Sequence, residues 1–282
     1  MPEIALITDS TAYIPADLVA KYKILVAPQV VIWDGQEMRD GVDIMPAEFY
    51  ARLKTSKTMP TTSQATIASF QILFEPLVAK GVPILAILLS PHLSGTIQSA
   101  EQAKKMFPGS RIEIVNSESV AMALGYQVLA AARAAEAGAS FDEVLALAQR
   151  VKAQTGVVFL VDTLEFLHRG GRIGGAARFM GSALNLKPLL EVRDGRVEAL
   201  EKVRTRAKAR ERLLEVVEER VKGKKNLRLA TLHASAEEDA QSLLVEAAKR
   251  MHPIEQHLTA VSPAVGTHAG PGTVGLAYCT EF

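Results

Sequence analysis

Short runs of valine, isoleucine and leucine alternate along this chain with longer segments of helical spacing, and this alternation is what most restricts the fold. The runs expected as strands cover residues 4–7, 24–32, 84–89, 112–115 and 157–161. They are almost continuously apolar, which is typical of strands buried on both faces, as in parallel sheets. Because right-handed crossovers place helices over such a sheet, the sequence predicts an α/β fold.

The helical segments between these runs have recognisable boundaries. Residues 94–106 and 119–137 are expected to be helices, and Gly138 follows the second. Ser140 and Glu143 form a capping-box pattern, in which both side chains bond free N–H groups at a helix start. A third helix is therefore expected from residue 140.

The pattern changes after residue 161, where a glycine cluster at residues 170–175 begins the second half. Asp194-Gly195 lies between two apolar runs, residues 189–192 and 197–200, and predicts a hairpin. The elements expected after it are a charged helix (205–221), a strand (227–232), a helix (236–251) and short final strands.

A chain of 282 residues is near the size at which one hydrophobic core divides into two. We therefore expect two α/β domains with the binding site between them. Residues 1–162 would form an N-terminal domain with a parallel sheet flanked by helices, and residues 163–282 a C-terminal mixed α/β domain.

The charge balance limits the partners of this protein. Its 32 lysines and arginines nearly cancel its 31 acidic residues, so no nucleic acid partner is expected. The longest apolar run, residues 82–89, is far below the roughly 20 residues of a membrane-spanning helix, so no stable membrane insertion is expected. The start of the chain has no secretory pattern, and the single Cys279 fits a reducing cytoplasm.

Three turns combine small hydroxylated residues, glycines and one histidine: residues 60–64, 93–96 and 266–272. Unpaired N–H groups and the positive end of the helix dipole make a strand-to-helix turn a good anion site. The residues expected to contact that anion are Thr62, Ser63, Ser94 and His268.

Five further residues are expected to line the same pocket: Asp9, Ser10, Gly95, Thr96 and Arg172. Asp9 and Ser10 follow the first strand, where open α/β sheets bind ligands, although both residue types also satisfy turn amides. Gly95 allows close backbone approach. Arg172 lies in the glycine cluster, where anion contact and helix docking are both open.

No catalytic machinery or cofactor pattern accompanies these turns. Ser94 with His268 could serve a serine hydrolase or acyltransferase, but the Gly-x-Ser-x-Gly elbow and an acidic partner are missing. The glycine pattern at 270–275 lacks the following helix of a dinucleotide site. The remaining histidines and Cys279 lack metal-ligand spacing, so neither a metal nor a cofactor is expected.

A local basic run covers residues 202–210 and includes Arg204 and Arg206. Such a run is most often a solvated helix face. Its density also suits the docking of an acidic protein partner.

Six fragments of the chain carry a family resemblance: Thr8-Asp9-Ser10, Thr62-Ser63-Gln64, Leu93-Ser94-Gly95-Thr96, Gly170-Gly171-Arg172-Ile173, Val203-Arg204-Thr205 and residues 268–272. They occur in this order in the DegV family, which the chain resembles over essentially its whole length. The resemblance implies a bacterial cytosolic protein that is not itself an enzyme and binds one long-chain fatty acid such as palmitate.

By that resemblance, Thr62 and Ser94 would hold the carboxylate, with Ser63 close and His268 approaching from the second domain. The acyl chain would enter an apolar tunnel. Members of the family serve as binding subunits of fatty acid kinase and present the carboxylate to an ATP-using subunit, which yields acyl phosphate for phospholipid synthesis. Arg204 matches a kinase-docking position. Ala65 departs from the proline common in the family.

Overall fold

The computed structural model describes residues 4–181 and 186–280. Its strands are β1 (Ala5–Asp9), β2 (Leu25–Ala27), β3 (Val30–Trp33), β4 (Gln36–Arg39), β5 (Thr61–Ser63), β6 (Ile84–Leu88), β7 (Ile112–Asn116), β8 (Thr155–Leu160), β9 (Lys187–Arg193), β10 (Arg196–Val203), β11 (Arg228–His233), β12 (Glu255–Ala260) and β13 (Val274–Cys279). Its helices are α1 (Ala16–Lys21), α2 (Pro46–Thr55), α3 (Ile67–Ala79), α4 (Thr96–Lys104), α5 (Ala121–Glu136), α6 (Phe141–Val151), α7 (Glu165–Arg169), α8 (Arg206–Val221), α9 (Glu237–Met251) and α10 (Pro263–Ala269).

The first sheet is parallel, with strand order β2-β1-β6-β7. All five residues of its central strand β6 are buried, because helices cover both faces. One face packs against α3 and α4 around Phe70 and Phe74, and the other packs against α5. The predicted α/β fold with a helix-flanked parallel sheet is confirmed.

Residues 24–32 form two strands in two sheets, although a single strand was expected. β2 belongs to the parallel sheet, whereas β3 pairs antiparallel with β4 and β5 in a small three-stranded sheet. The break falls at Pro28, which has no N–H to donate to a ladder. This small sheet carries Thr62 on β5.

The second sheet has strand order β10-β9-β8-β13-β11-β12 and is mixed. β8 includes residues 157–160 of the run 157–161 that was expected in a parallel arrangement, but it pairs antiparallel with both β9 and β13. The run is apolar because both faces are covered: Val157 packs in the core that includes α5, and Val158 in the core that includes α8 and α9. Sheet membership thus changes between β7 and β8, and the division at residue 162 stays a prediction.

Other elements of the second half agree with the sequence. β9 and β10 form the predicted hairpin, and Asp194 and Gly195 at its turn both have positive φ, 50° and 76°. This is the geometry of a tight turn that matches strand twist. Earlier in the chain, the capping box of Ser140 and Glu143 opens α6.

Helix α5 joins the two large sheets. Every residue from 121 to 132 is buried, and the helix contacts β1 and β6 of the first sheet as well as β8, β11 and β13 of the second. Residues of both sheets therefore share one continuous core. The fully buried Cys279 ends β13 within that core.

No helix within residues 4–181 and 186–280 combines the length and apolar content needed to cross a membrane.

Candidate functional site

An apolar cavity lies between the second sheet and the start of α5. Its apolar wall comes from β8 to β11 and from the segment before α5, and it includes Val157, Phe159, Val192, Val197, Leu232 and Val120. Its volume, counted as the space open to the centre of a water molecule, is about 100 Å³. One enclosed water needs roughly 10–15 Å³ counted in the same way, so the cavity accepts something larger than a water molecule.

Polar side chains meet at the rim of this cavity. They come from separate parts of the chain: Gln29 before β3, Thr62 and Ser63 on β5, Gln64 after it, Ser94 before α4, Arg172 after α7 and His268 on α10. The sequence prediction named Thr62, Ser63, Ser94, Arg172 and His268, and the fold brings all five to this one cavity.

Thr62 and His268 are paired directly. Thr62 Oγ1 lies 2.7 Å from His268 Nε2, although 206 positions separate the two residues. Pairing of β5 with β3 fixes Thr62 opposite Val31, and α10 carries His268 in its last turn. The pair therefore connects the small sheet to the segment between β12 and β13.

His268 is held in its neutral form. Burial, together with the nearby positive charge of Arg172, lowers its pKa to about 4. Its ring is accommodated by Gly170, because a Cβ at that position would collide with Nδ1. At neutral pH, His268 therefore acts as an uncharged hydrogen-bonding group at the rim.

Ser94 bonds to two neighbours and not to the histidine. Its Oγ lies 2.9 Å from Thr96 Oγ1 and donates to Gln29 Oε1 at 3.3 Å. His268 Nε2 bonds to Thr62 instead. The serine–base contact that a hydrolase needs is therefore not formed in this arrangement.

Gln29 is a rim residue that sequence reasoning missed. It is 3% exposed, and its Nε2 donates to Thr96 Oγ1 at 2.9 Å. The signal was present in the sequence, since Gln29 is a polar residue directly after Pro28 inside an apolar run. Such an interruption costs free energy unless the side chain is hydrogen-bonded, so it marks a position with a specific partner.

Asp9 and Ser10 lie behind the rim and outside the outline of the cavity. Asp9 is fully buried and accepts hydrogen bonds from the backbone N–H groups of Thr11 and Leu89, at 3.0 and 2.9 Å. Ser10 donates to buried Asp40 at 2.7 Å. Burial raises the pKa of Asp9, and it raises that of Asp40 to about 6. These groups order the turn after β1.

Gly95 and Thr96 also lie behind the rim rather than on the wall of the cavity. Thr96 is fully buried and contacts the rim through its bonds to Ser94 and Gln29. Gly95 lets a side chain approach closely, since a Cβ there would lie 3.2 Å from Gln64 Cδ. Both positions act on the rim through their neighbours.

Arg172 lines the cavity and is anchored by backbone carbonyls. Its Nε donates to Leu93 O at 3.0 Å, and its Nη1 donates to Gly170 O at 2.8 Å. The guanidinium therefore lies between the residue before Ser94 and the glycine beside His268. It brings a positive charge to the rim, and its bonds there are to backbone carbonyl groups.

Arg204 and Arg206 occupy different environments. Arg204 is exposed in the bend between β10 and α8. Arg206 points into the fold, where Nε bonds to Asp239 at 2.7 Å, Nη1 to Asp162 at 2.9 Å and Nη2 to Gly272 O at 2.9 Å. Of these two predicted docking residues, Arg204 is the exposed one.

Across the described residues, no three histidine, cysteine or carboxylate side chains converge as metal ligands would. The rim instead presents neutral donors beside an anchored arginine, at one side of an apolar cavity. This arrangement suits a ligand with a small acidic head and a long apolar body. The fold and the site thus define an α/β protein with an apolar cavity and a polar rim.

The chain belongs to the DegV family, whose family model, described as an uncharacterised protein family, matches residues 3–281. A DegV domain-containing protein of Clostridium perfringens is 35% identical over 99% of both chains. The fold is similar to that of a fatty-acid-binding DegV family protein from Thermus thermophilus, with a TM-score of 0.94, 36% identity and full coverage of both chains. It is also similar to Bacillus subtilis DegV, described as a fatty acid binding protein, with a TM-score of 0.90, 32% identity and full coverage of both.

Proposed function

We propose that this protein binds one long-chain fatty acid, with the carboxylate at the rim and the acyl chain in the apolar cavity. Thr62, Ser94, Ser63 and His268 hold the carboxylate. The observation that carries the proposal is the apolar cavity whose rim holds the Thr62–His268 pair and Ser94. The fatty acid binding described for the Thermus and Bacillus structures supports it.

The apolar chain supplies most of the affinity. Burial of each CH₂ contributes about 0.8 kcal/mol, so a C16 chain offers on the order of 10 kcal/mol before the costs of ordering. The head group then needs only enough hydrogen bonds to offset the loss of water around its carboxylate. Neutral hydroxyls meet that need.

The Thr62–His268 pair also sets the direction of a hydrogen bond. When neutral His268 donates from Nε2 to Thr62 Oγ1, the Thr62 hydroxyl keeps its own proton free for the carboxylate. Ser94 can turn its proton from Gln29 to the same ligand. Asp9, Ser10, Gly95 and Thr96 support these donors from behind the rim.

The finer proposal is that the protein is a cytoplasmic carrier that presents its fatty acid to a partner kinase. Such a kinase would join a carboxylate oxygen to the terminal phosphorus of ATP and release ADP, and the acyl phosphate would pass to phospholipid synthesis. Single hydrogen bonds from hydroxyls leave a carboxylate oxygen more reactive than a bidentate arginine clamp would. The carrier itself contributes no catalytic residue.

The test of binding is native mass spectrometry of the purified full chain, followed by denaturing extraction and identification of released lipid. One equivalent of a C14–C18 fatty acid is the expected result. A mass without ligand, together with no uptake of added palmitate, would overturn the proposal. Labelling of Ser94 by a fluorophosphonate probe would favour a hydrolase instead.

The test of the carrier role uses Arg204→Ala with a bacterial fatty acid kinase as the probe partner. We expect acyl-phosphate formation to fall while palmitate affinity is unchanged, because Arg204 is exposed and does not line the cavity. Lys208→Ala is the matched control, since Lys208 is an exposed cation of the same basic run. Equal loss in both variants would contradict a specific docking role.

A further inference from the structure

Arg206 connects the start of α8 to the segment that follows His268. We propose that Arg206 is a positioning residue for His268, because it fixes the loop of residues 270–273 on which the last turn of α10 rests. The inference rests on the proposed function, in which His268 contacts the carboxylate. It gives Arg206 a different role from that of its exposed neighbour Arg204.

The contacts of Arg206 reach three separate segments. Nη2 donates to Gly272 O at 2.9 Å, and Nη1 pairs with Asp162 at 2.9 Å. Nε pairs with Asp239 at 2.7 Å in the first turn of α9. With three of its nitrogens engaged and its side chain 28% exposed, Arg206 has a fixed orientation.

Three glycine contacts bind the loop to the segment of residues 162–170. The Asp162 carboxylate packs against Gly272, in the space that a Cβ at position 272 would need. In the same way, the Phe166 ring packs against Gly270, and the His268 ring packs against Gly170. These contacts run antiparallel, so that the two segments fit along their lengths.

Arg206 closes this interface at the end opposite His268, since it bonds to both Asp162 and Gly272. Gly270 and Gly272 have φ of 78° and 79°, values that other residues rarely adopt, so the loop has a demanding backbone. Thr273 Oγ1 adds bonds to Ala269 O and Gly270 O, both at 2.9 Å. Loss of the Arg206 bonds would loosen the interface and shift the His268 ring away from Thr62.

The experiment compares Arg206→Met with Arg210→Met in the full chain. Arg210 also pairs with Asp239 and bonds to Ser242, but no bond joins it to the loop at residues 270–273. The first readout is the titration of the His268 imidazole by NMR in protein without ligand. The second is palmitate affinity by calorimetry, and urea unfolding monitors stability in each variant.

For Arg206→Met we expect the His268 pKa to rise toward its ordinary value and palmitate affinity to fall about tenfold. Arg210→Met should leave both unchanged. Arg206→Lys keeps a cation for Asp162 but lacks the second nitrogen that donates to Gly272 O, so its effects should fall between those of wild type and Arg206→Met.

Unchanged His268 titration in Arg206→Met, or equal changes in Arg210→Met, would overturn the proposal. If Arg206→Met does not fold, the same criterion applies to Arg206→Lys. If the wild-type chain binds no fatty acid, the proposed function fails, but the titration of unliganded protein still decides whether Arg206 positions His268.

Discussion

Two partly buried polar clusters in this protein differ in their charge. At the rim of the cavity, neutral His268 pairs with the Thr62 hydroxyl. At the other cluster, Glu255 on β12 takes two bonds from Arg133 on α5, at 2.7 and 2.8 Å. The comparison indicates that a charged pair joins α5 to β12, whereas the pair at the proposed ligand site is neutral.

The charged cluster is built around one carboxylate. Glu255 also lies 2.7 Å from His257 Nε2 and 3.3 Å from Arg228 Nε. Burial alone would raise the pKa of Glu255, but the bonds from His257 and Arg133 outweigh it and lower the pKa to about 2. The carboxylate therefore stays ionised and ties α5 to β11 and β12.

The two clusters lie near opposite ends of the same helix. Ala121 at the start of α5 lines the cavity, and Arg133 in its last turn belongs to the charged cluster. At 1.5 Å per residue, these positions are about 18 Å apart. The free-energy effects of substitutions in one cluster should therefore be independent of those in the other.

The largest expected effect comes from Glu255→Gln, which leaves Arg133 and Arg228 beside a neutral side chain. Because both arginines then lose the negative charge of Glu255, the free energy of unfolding should fall by about 3 kcal/mol. Urea denaturation measures this change, and palmitate affinity of the folded protein should be retained. A fall in affinity at constant stability would contradict the separation of the clusters.

Glu246→Gln is the matched control for that substitution. Glu246 pairs with Arg250 on the surface of α9 at 2.9 Å, and its side chain is 43% exposed. Exposed pairs contribute little, so a loss below about 1 kcal/mol in the free energy of unfolding is expected.

The contribution of Glu255 to the stability of the wild-type protein depends on pH. It is fully present above pH 4.5 and is lost as pH falls through about 2, because folding lowers the pKa of Glu255.

Gly170→Ala should have the next largest effect, at the neutral cluster. A Cβ there collides with His268 Nδ1, so the ring must leave its position against Thr62. We expect palmitate binding to weaken by about 2 kcal/mol, measured by calorimetry. Gly171→Ala is the control, because it strains a φ of 69° but meets no side chain. Equal affinity losses would show that the effect is general strain.

Ser94→Ala removes one donor from the rim and should cost about 1.5 kcal/mol of palmitate binding, roughly a tenfold rise in Kd. Ser99→Ala serves as the control, since Ser99 is a buried serine of α4 away from the cavity wall. Unaltered affinity in Ser94→Ala would remove Ser94 from the proposed head-group site.

The smallest expected effect is the pH dependence of binding. With a His268 pKa of about 4 and the permanent charge of Arg172 beside it, palmitate affinity should change little from about pH 8 to about pH 6.5. A loss of affinity as pH rises through this range would mean that a cationic histidine holds the carboxylate.

The lowered pKa of His268 also affects stability. The free energy of unfolding should fall as pH falls from about 6.5 through about 4, because the unfolded chain takes up a proton on His268 before the folded chain does.

The sequence predicted well what depends on local chemistry. The apolar runs indicated the parallel sheet, and the capping box at Ser140 and the turn at Asp194 appeared where expected. The hydroxyl-rich turns predicted rim residues because strand ends and helix starts carry free donors in any α/β fold. Thr62, Ser94 and His268 could thus be named before their distances were known.

What the sequence could not predict depends on long-range packing. A doubly buried strand has the same apolar pattern in either orientation, so β8 could not be assigned to the mixed sheet. Arginine is usually a surface residue, and only the fold shows that Arg206 bonds to Gly272. In the sequence, Gly170 is likewise one glycine of a cluster, and only the structure shows that the His268 ring packs against it.

The burial of α5 also restricts how a ligand can reach the cavity. Separating the two large sheets would expose α5, whose first three turns are buried and contact both sheets. That exposure would remove the shared core, so we expect the two sheets to stay together. Under the proposed function, a fatty acid would therefore enter through local motion at the rim, where Thr62 on β5 bonds to His268 on α10.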